Sequence, residues 1–281
     1  MGANLSDNAK CREKRLQRFQ VNPTSSETSP SSHVVDRRTE YILDAAKSDS
    51  VLYARSLLCD VSTGYYPDLA LILAHKAAAS GSLNCLKLAL QRGVNVDSFD
   101  SKEGWRLIHL AAGYGHVECV ALLLKHGAKI NETTGDWNFT ALHLAAAKGH
   151  AACVRLLLQQ GADTAAADKD GDTALSEAAA NGHVECVHEL LLGGAAVNSV
   201  GWRARTPLHA AARGGHINCL RVLLMYRADS KLLDNDNRTA FDLVPSDLRR
   251  TVVAFLPSEF RRTACELLPC ELMVDGRSTG F

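Results

Sequence analysis

The sequence repeats itself at a period of 33 or 34 residues, and this constrains the fold more than any other feature. Five segments of equal length align without gaps: 73–93, 107–127, 141–161, 174–194 and 207–227. A column of histidines with a single serine keeps the period: His75, His109, His143, Ser176 and His209. A cysteine column keeps the same steps: Cys85, Cys119, Cys153, Cys186 and Cys219. Two independent columns with one period predict a stack of similar units.

Each copy has the pattern of two short helices joined by a turn. The start is clearest in Thr206-Pro207-Leu208-His209, where Thr is a natural N-cap and Pro suits the first helical position. An Ala pair follows, which lets neighbouring helices approach closely, and a Gly-His pair then ends the first helix. The second helix has apolar residues at helical spacing and ends at another Gly, as in Gly127 and Gly161.

These residues resemble the ankyrin repeat, whose signature includes Thr-Pro-Leu-His-x-Ala at a 33-residue period. The resemblance covers roughly residues 36–245. It implies an all-α fold, an ankyrin-repeat solenoid of helix-turn-helix repeats with a β-hairpin finger at each junction. Three copies depart from the pattern: the first has the weak start Ile72-Leu73-Ala74-His75, the fourth has Ser176 and Glu177, and the fifth loses its Gly in Tyr226-Arg227-Ala228.

Four regions are expected along the chain. Residues 1–34 are basic and rich in Ser and Pro, and they are predicted to be disordered because they cannot bury enough apolar area. Residues 35–67 are expected to form a degenerate N-capping repeat. Residues 68–245 carry about five full repeats plus a partial sixth, and residues 246–281 form a C-terminal cap and tail.

Composition restricts the classes of function. The formal net charge is zero, which argues against a nucleic-acid binder. No apolar stretch approaches the ~18 residues of a membrane span, and no signal peptide is apparent. Nine cysteines, mostly at the repeat period, indicate free thiols in a reducing compartment rather than a disulfide framework. We therefore expect a monomeric cytoplasmic protein, with the nucleus as an alternative location.

The histidine and cysteine columns are predicted to be structural. Zinc needs four ligands at about 2.0–2.3 Å, whereas equivalent residues lie one repeat, roughly 10 Å, apart. The sequence also has no glycine-rich phosphate loop followed by Lys-Ser/Thr and no Gly-x-Ser-x-Gly nucleophile turn. We expect no catalytic residue, no metal and no cofactor, and therefore no enzyme.

Two sets of residues are candidates for binding a partner protein. Aromatic residues cluster just before repeat starts, in the predicted fingers, and tryptophan is frequent at interface hot spots. The variable positions near the Gly-His pairs lie on the concave face, the usual partner site of ankyrin proteins. The alternative is that the aromatic residues pack on neighbouring fingers and the polar ones are solvated. The candidates are Trp105, Tyr114, Trp137, Phe139, Lys148, Asn181, Trp202 and Arg213.

The N-terminus matches the pattern for N-myristoylation. In Met1-Gly2-Ala3-Asn4-Leu5-Ser6, Gly2 becomes the first residue once Met1 is removed. A single acyl chain holds a protein only weakly at a membrane and needs a second signal. Five basic residues against two acidic ones in the first twenty positions give a net charge of 5 − 2 = +3, which suits an anionic membrane surface. The alternative is a chance match to a short motif.

The expected function is that of a non-enzymatic interaction adaptor or scaffold. One alternative is a substrate-recognition subunit of a cullin-type ubiquitin ligase, with residues 246–281 as the recruiting end; these residues do not match the SOCS box of related ankyrin proteins well. Another is an ankyrin-type regulator of a signalling or transcription factor. The resemblance also implies that Asn131 and Asn198, late in their repeats, are candidates for asparaginyl hydroxylation.

Overall fold

The computed structural model describes residues 33–59, 67–99, 104–135 and 137–255. Within these ranges the chain forms thirteen α-helices, two 3₁₀ turns and no strand. The helices come as pairs joined by tight turns. The first pairs are α1 (His33–Lys47) with α2 (Val51–Cys59), α3 (Pro67–Ser80) with α4 (Leu83–Gln91), and α5 (Leu107–Gly113) with α6 (Val117–Lys125). The later pairs are α7 (Ala141–Lys148) with α8 (Ala151–Gln159), α9 (Ala174–Asn181) with α10 (Val184–Leu192), and α11 (Pro207–Arg213) with α12 (Ile217–Met225).

The pairs stack side by side in two layers. Each first helix packs on the first helix of the next pair, as α7 does on α9, and each second helix does the same in the outer layer, as α8 does on α10. One apolar core runs the length of the stack, and the Ala pairs and the cysteine column lie in it. Because alanine and cysteine are small, the helices approach closely, as the predicted solenoid requires.

A threonine–histidine pair fixes the start of two first helices, α7 and α11. In α7 the Thr140 hydroxyl oxygen accepts the backbone N–H of His143 at 3.4 Å, and His143 Nδ1 accepts the N–H of Thr140 at 3.3 Å. His143 Nε2 then donates to the carbonyl of Asp172 in the following loop at 3.2 Å. His209 and His109 make the same cross-repeat bond, so the predicted frame role is confirmed for these three histidines. His75 instead bonds the carbonyl of Leu71 in its own helix.

A second histidine column links each repeat to the one before it. His183, in the Gly-His turn, donates from Nε2 to the carbonyl of Ala147 at 3.1 Å, and its ring lies against Gly149. The same contact recurs along the stack. A Cβ on Gly149 would lie 2.6 Å from Nδ1 of His183, so only glycine leaves room for the ring. Ser82, at the histidine position of the first full repeat, also donates to the preceding repeat, at Ala46.

The junctions between repeats are turn-rich loops rather than the β-hairpins expected from the family. In the described residues they contain two isolated antiparallel bridges, Phe99 with Arg106 and Ala167 with Thr173. The second to fifth fingers are instead each closed by one backbone bond near the base, as between Asp168 N–H and the Asp172 carbonyl at 2.9 Å.

Both ends of the stack depart from the regular repeat. Helix α1 begins at His33, inside the segment expected to be disordered, and α3 is 14 residues long because Ile72-Leu73 offers no cap that would start it later. At the other end, a 3₁₀ turn and α13 (Arg249–Phe255) form the partial sixth repeat. There the Asp242 carboxylate accepts the N–H of Thr239 at 2.8 Å. It takes the place that a histidine Nδ1 has in the other caps.

We predict that Gly149→Ala destabilises the protein more than Gly161→Ala does. Both glycines have left-handed φ, 81° and 85°, so alanine costs about 1 kcal/mol at either position. Only Gly149 faces a histidine ring, whereas nothing lies within 4 Å of a Cβ on Gly161. Displacing His183 should cost about 1–2 kcal/mol more. Urea unfolding of the full chain measures both; equal losses would contradict the interlocking contact.

Candidate protein-binding site

The predicted partner-binding residues lie in two separate rows on the inner layer. One row comprises the fingers, at the start of each first helix, and the other lies at the helix ends, beside the Gly-His turns. A first helix of seven or eight residues separates the rows by about 11 Å. The candidate site is therefore a shallow surface two rows wide that runs along the repeats.

The helix-end row contains the four candidates from the variable positions. Tyr114 is the C-cap of α5, is 37% exposed, and stacks on His116 with ring centroids 6.4 Å apart. Lys148, Asn181 and Arg213 are the last residues of α7, α9 and α11. Partial burial lowers the pKa of the Lys148 ammonium, and the Asn181 amide donates to the carbonyl of Glu177 at 2.8 Å. The row is half-buried and chemically mixed.

The aromatic residues of the first and second fingers line the finger bases. Trp105 and Phe139 occupy equivalent positions, each immediately before the cap of a first helix. Both are half-buried, and the Phe139 ring lies 6.1 Å from that of His143. Trp137 lies on the finger before that of Lys169, whose ammonium is 5.3 Å from the centre of the indole. The Trp137 contact joins neighbouring fingers and the Phe139 contact lies within one repeat, so part of each of these two rings is already used within the frame.

The fourth finger places Trp202 between two arginines. The guanidinium groups of Arg203 and Arg205 lie 5.3 and 5.2 Å from its ring centre. Arg203 and Ala204 both have left-handed φ, near 58° and 57°. Two consecutive non-glycine residues in this region are strained, and such strain is concentrated at functional sites. The finger therefore presents a rigid aromatic and cationic surface.

An ion-pair network ties the fourth finger to the fifth. Arg203 pairs with Asp236, and Arg205 approaches Asp234 at 3.4 Å. Arg238 pairs with both aspartates, at 2.9 Å from Asp234. Both Asp234 and Arg205 are buried, so this network orders the two fingers relative to each other.

Three of the five fingers expose an apolar residue at one shared position, which the sequence-based candidates did not include. Phe99, Val200 and Leu233 occupy the same finger position and are 57%, 61% and 51% exposed. The shared position is visible in the alignment, fourteen residues after each cysteine of the column. Soluble proteins seldom expose large apolar residues repeatedly at one structural position without a partner.

An acidic cluster lies between the third and fourth fingers. The carboxylate oxygens of Asp168, Asp172 and Glu177 all lie within 4.8 Å of one another. Asp168 accepts the N–H groups of residues 170 and 172, and Asp172 accepts the N–H of Trp202 at 3.4 Å. These bonds close and join the loops, so the cluster has a structural use of its own. The sequence departure at Glu177 was its only visible sign.

Equivalent aspartates in the third and fifth fingers have opposite pKa shifts. Burial, with the charges of Asp172 and Glu177, raises the pKa of Asp168 to about 6. Burial also acts to raise the pKa of Asp234, but hydrogen bonds from the Arg238 side chain and backbone outweigh it and lower this pKa to about 2. The surroundings differ because Arg238 stands at the position of Asp172 and Leu243 at that of Glu177, and because Arg205 adds a second cation beside Asp234.

The two hydroxylation candidates make equivalent contacts. The Asn131 side-chain oxygen accepts the N–H of Asp163 at 2.9 Å, and that of Asn198 accepts the N–H of Asp229 at 2.9 Å. Each asparagine therefore joins its loop to the next repeat. Hydroxylation of either residue stays a prediction.

The cysteine and histidine columns are buried parts of the frame. The five cysteines of the column are free and buried, and burial raises the pKa of their thiols to about 11 or 12. Burial lowers the pKa of His109 to about 4, so its imidazole is neutral near pH 7. Thiols that stay protonated and an imidazole held neutral by burial suit packing rather than nucleophilic chemistry.

Two of the predicted features lie outside the described residues. Gly2 with the basic N-terminus is one, and residues 257–281, the main part of the predicted recruiting end, are the other. Myristoylation and ligase recruitment therefore stay predictions. Among the helices of the described ranges, none combines the length and the apolar character that a membrane crossing requires.

Comparison with protein families agrees with the geometry. Models described as ankyrin repeats match residues 42–134 and 131–201, and a further ankyrin-repeat model matches residues 190–244. The chain belongs to the ankyrin-repeat family. Ankyrin repeats are protein–protein interaction modules, and proteins built from them are in general non-enzymatic. A search of curated protein sequences finds no significant match to this chain.

We predict that the two equivalent aspartates respond oppositely to neutralisation. Asp168→Asn should keep or raise stability at pH 7, because it removes a carboxylate destabilised by burial and like charge. Since the native pKa is about 6 and the ordinary value is 3.8, the gain should fall by about half at pH 5 and vanish only below pH 3.8. Asp234→Asn should lose about 2 kcal/mol at both pH values, because it leaves Arg205 and Arg238 unpaired, and the native contribution is lost only as the pH falls below 3.8 toward 2.

Urea unfolding at the two pH values tests this pair, with the unsubstituted chain as the reference. Equal losses for both variants at pH 7 would show that the neighbouring charge does not decide the role of the aspartate.

Proposed function

We propose that this protein is an adaptor or scaffold that binds a partner protein on its finger row and helix-end row. The observation that carries the proposal is the exposed apolar row of Phe99, Val200 and Leu233. Each residue stands on a finger held by the frame, so little conformational entropy is lost when a partner covers it.

The fourth and fifth fingers are the strongest part of the proposed surface. Val200 and Leu233 occupy adjacent repeats, and Trp202 with its two arginines lies on the same finger as Val200. Tryptophan and arginine are the residues most enriched at interface hot spots, and apolar residues around them exclude water. The ion pairs to Asp234 and Asp236 hold the two fingers in place before binding.

We predict that Val200→Asp with Leu233→Asp weakens partner binding by about tenfold or more. The control is Leu192→Asp with Met225→Asp, which changes two residues of the same two repeats, each 62% exposed at the end of an outer helix. Affinity purification from cells, with quantitative mass spectrometry, compares the variants. Proteins that are lost with the finger variant and retained with the control are the expected partners. Equal recovery with both variants would contradict the finger surface.

The three tryptophans allow the contribution of each finger to partner binding to be compared along the stack. Trp202→Ala should weaken binding most, because its finger also carries an exposed apolar residue and two arginines, and a hot-spot tryptophan contributes about 2 kcal/mol or more. Trp137→Ala and Trp105→Ala should have smaller effects if the partner is centred on the fourth finger. Undiminished binding in all three variants would exclude the fingers.

A membrane location of the same adaptor is proposed from the start of the sequence. Gly2 and the basic residues that follow it provide an acyl chain and an electrostatic attraction, the two signals needed for stable anchoring. We predict that Gly2→Ala moves the protein from the membrane fraction to the soluble fraction, whereas Ala3→Ser leaves it in place. Fractionation of cells that express each variant measures this, and an unchanged membrane share for Gly2→Ala would contradict acylation.

A further inference from the structure

The face of the first helix pair that points away from the rest of the stack carries exposed aromatic residues. The later repeats have buried, smaller residues at the equivalent positions. Tyr41 is equivalent to Leu73, Leu107 and the later residues of that column, which are all buried, yet Tyr41 is 46% exposed. Tyr53 is equivalent to the cysteine column and is 38% exposed. In the next repeat, the thiol of Cys85 contacts the carbonyl of Ala45, so this column faces the preceding repeat.

A third residue of this face is more exposed still. Leu52 is 82% exposed, and its equivalent in the next repeat is Asn84. The Asn84 amide reaches back to the Asp49 carboxylate of the preceding repeat at 2.7 Å. The rings of Tyr41 and Tyr53 meet edge to face, with centroids 6.2 Å apart. The first pair thus presents a stacking face made of large apolar side chains, whereas a terminal repeat of a solenoid needs a polar outer face.

The charges beside this face indicate what covers it. Glu40 and Asp44 are exposed on α1. Partial burial raises the pKa of Tyr53, and the charges of Tyr41 and Asp44 act in the same direction. A second copy of the chain, mated face to face, would bring these carboxylates together. A basic segment would instead neutralise them.

The segment that precedes α1 has the matching pattern. Its apolar residues Leu5, Ala9, Leu16 and Phe19 follow a helical period, and Arg12 completes the stripe at steps of 4, 3, 4 and 3 residues. An arginine within an apolar stripe complements an aspartate beside two tyrosines. The thirteen residues 20–32 can span up to about 43 Å, which exceeds the roughly 22 Å length of α1.

We propose that residues 5–19 of this chain dock on the face formed by Tyr41, Leu52 and Tyr53 and cap the first repeat. Leu16 and Phe19 cover the two tyrosines, and Arg12 pairs with Asp44. The segment takes the place of the repeat that would otherwise precede α1.

Photo-crosslinking of the full chain tests the cap. A benzophenone amino acid at position 52, which is exposed enough to accept it, should crosslink within the same chain to peptides from residues 1–32. The same group at position 192, exposed on a later repeat, should not. Crosslinked dimers would show that a second copy covers the face, and the absence of any crosslink to residues 1–32 would equally overturn the proposal.

Charge reversal tests the alignment of the segment. Arg12→Glu should lower the yield of the crosslink by about fivefold, because it replaces an attraction to Asp44 by a repulsion. Adding Asp44→Arg to that variant should restore the yield. Lys14→Glu makes the same change of charge off the stripe and should leave the yield near that of the unsubstituted chain. Equal losses of crosslink yield for Arg12→Glu and Lys14→Glu would show that the stripe does not set the alignment of the segment.

Discussion

The fit of a histidine ring against a glycine of the preceding repeat is the contact on which the stack depends. The ring of His183 occupies the space that a Cβ on Gly149 would fill, and its Nε2 donates to a carbonyl of the same preceding repeat. One residue therefore supplies both close packing and a directional bond. Since a hydrogen bond requires a defined angle, the pair fixes how far and in which orientation successive repeats are offset.

The finger surface follows from that offset. When every repeat has the same relation to its neighbour, equivalent finger positions fall in a line, and Phe99, Val200 and Leu233 share a row although long stretches of chain separate them. Cross-repeat bonds at the finger bases, such as that from His143 to the Asp172 carbonyl, hold the loops to the helices. A binding surface built this way is as rigid as the frame, and its chemistry can vary without altering the fold.

Much of the frame was predictable because its residues act through local rules and recur. A Thr cap, a Pro at the first helical position and a Gly before His each have a stereochemical reason, and five copies of the pattern remove ambiguity. The finger conformation was less predictable, since the family's hairpins are reduced here to isolated bridges. The pKa shifts of Asp168 and Asp234 are opposite largely because Asp234 has Arg238 as a neighbour where Asp168 has Asp172. Which side chains neighbour each aspartate appears only once the loops are folded. The exposure of Val200 and Leu233 likewise required the three-dimensional arrangement, because apolar residues in a sequence are more often buried.

Leu248 has a consequence for the length of the assembly. Its side chain occupies the space over Gly215, where the earlier repeats place a histidine ring. It also stands at the position that glycine holds in the earlier repeats, so the last repeat offers no bare backbone against which a further ring would fit. Leu248 thus packs on the last glycine of the series and leaves no glycine in its own repeat for a further ring. Within the described residues, the series of contacts between a glycine and a side chain of the next repeat therefore ends at Leu248.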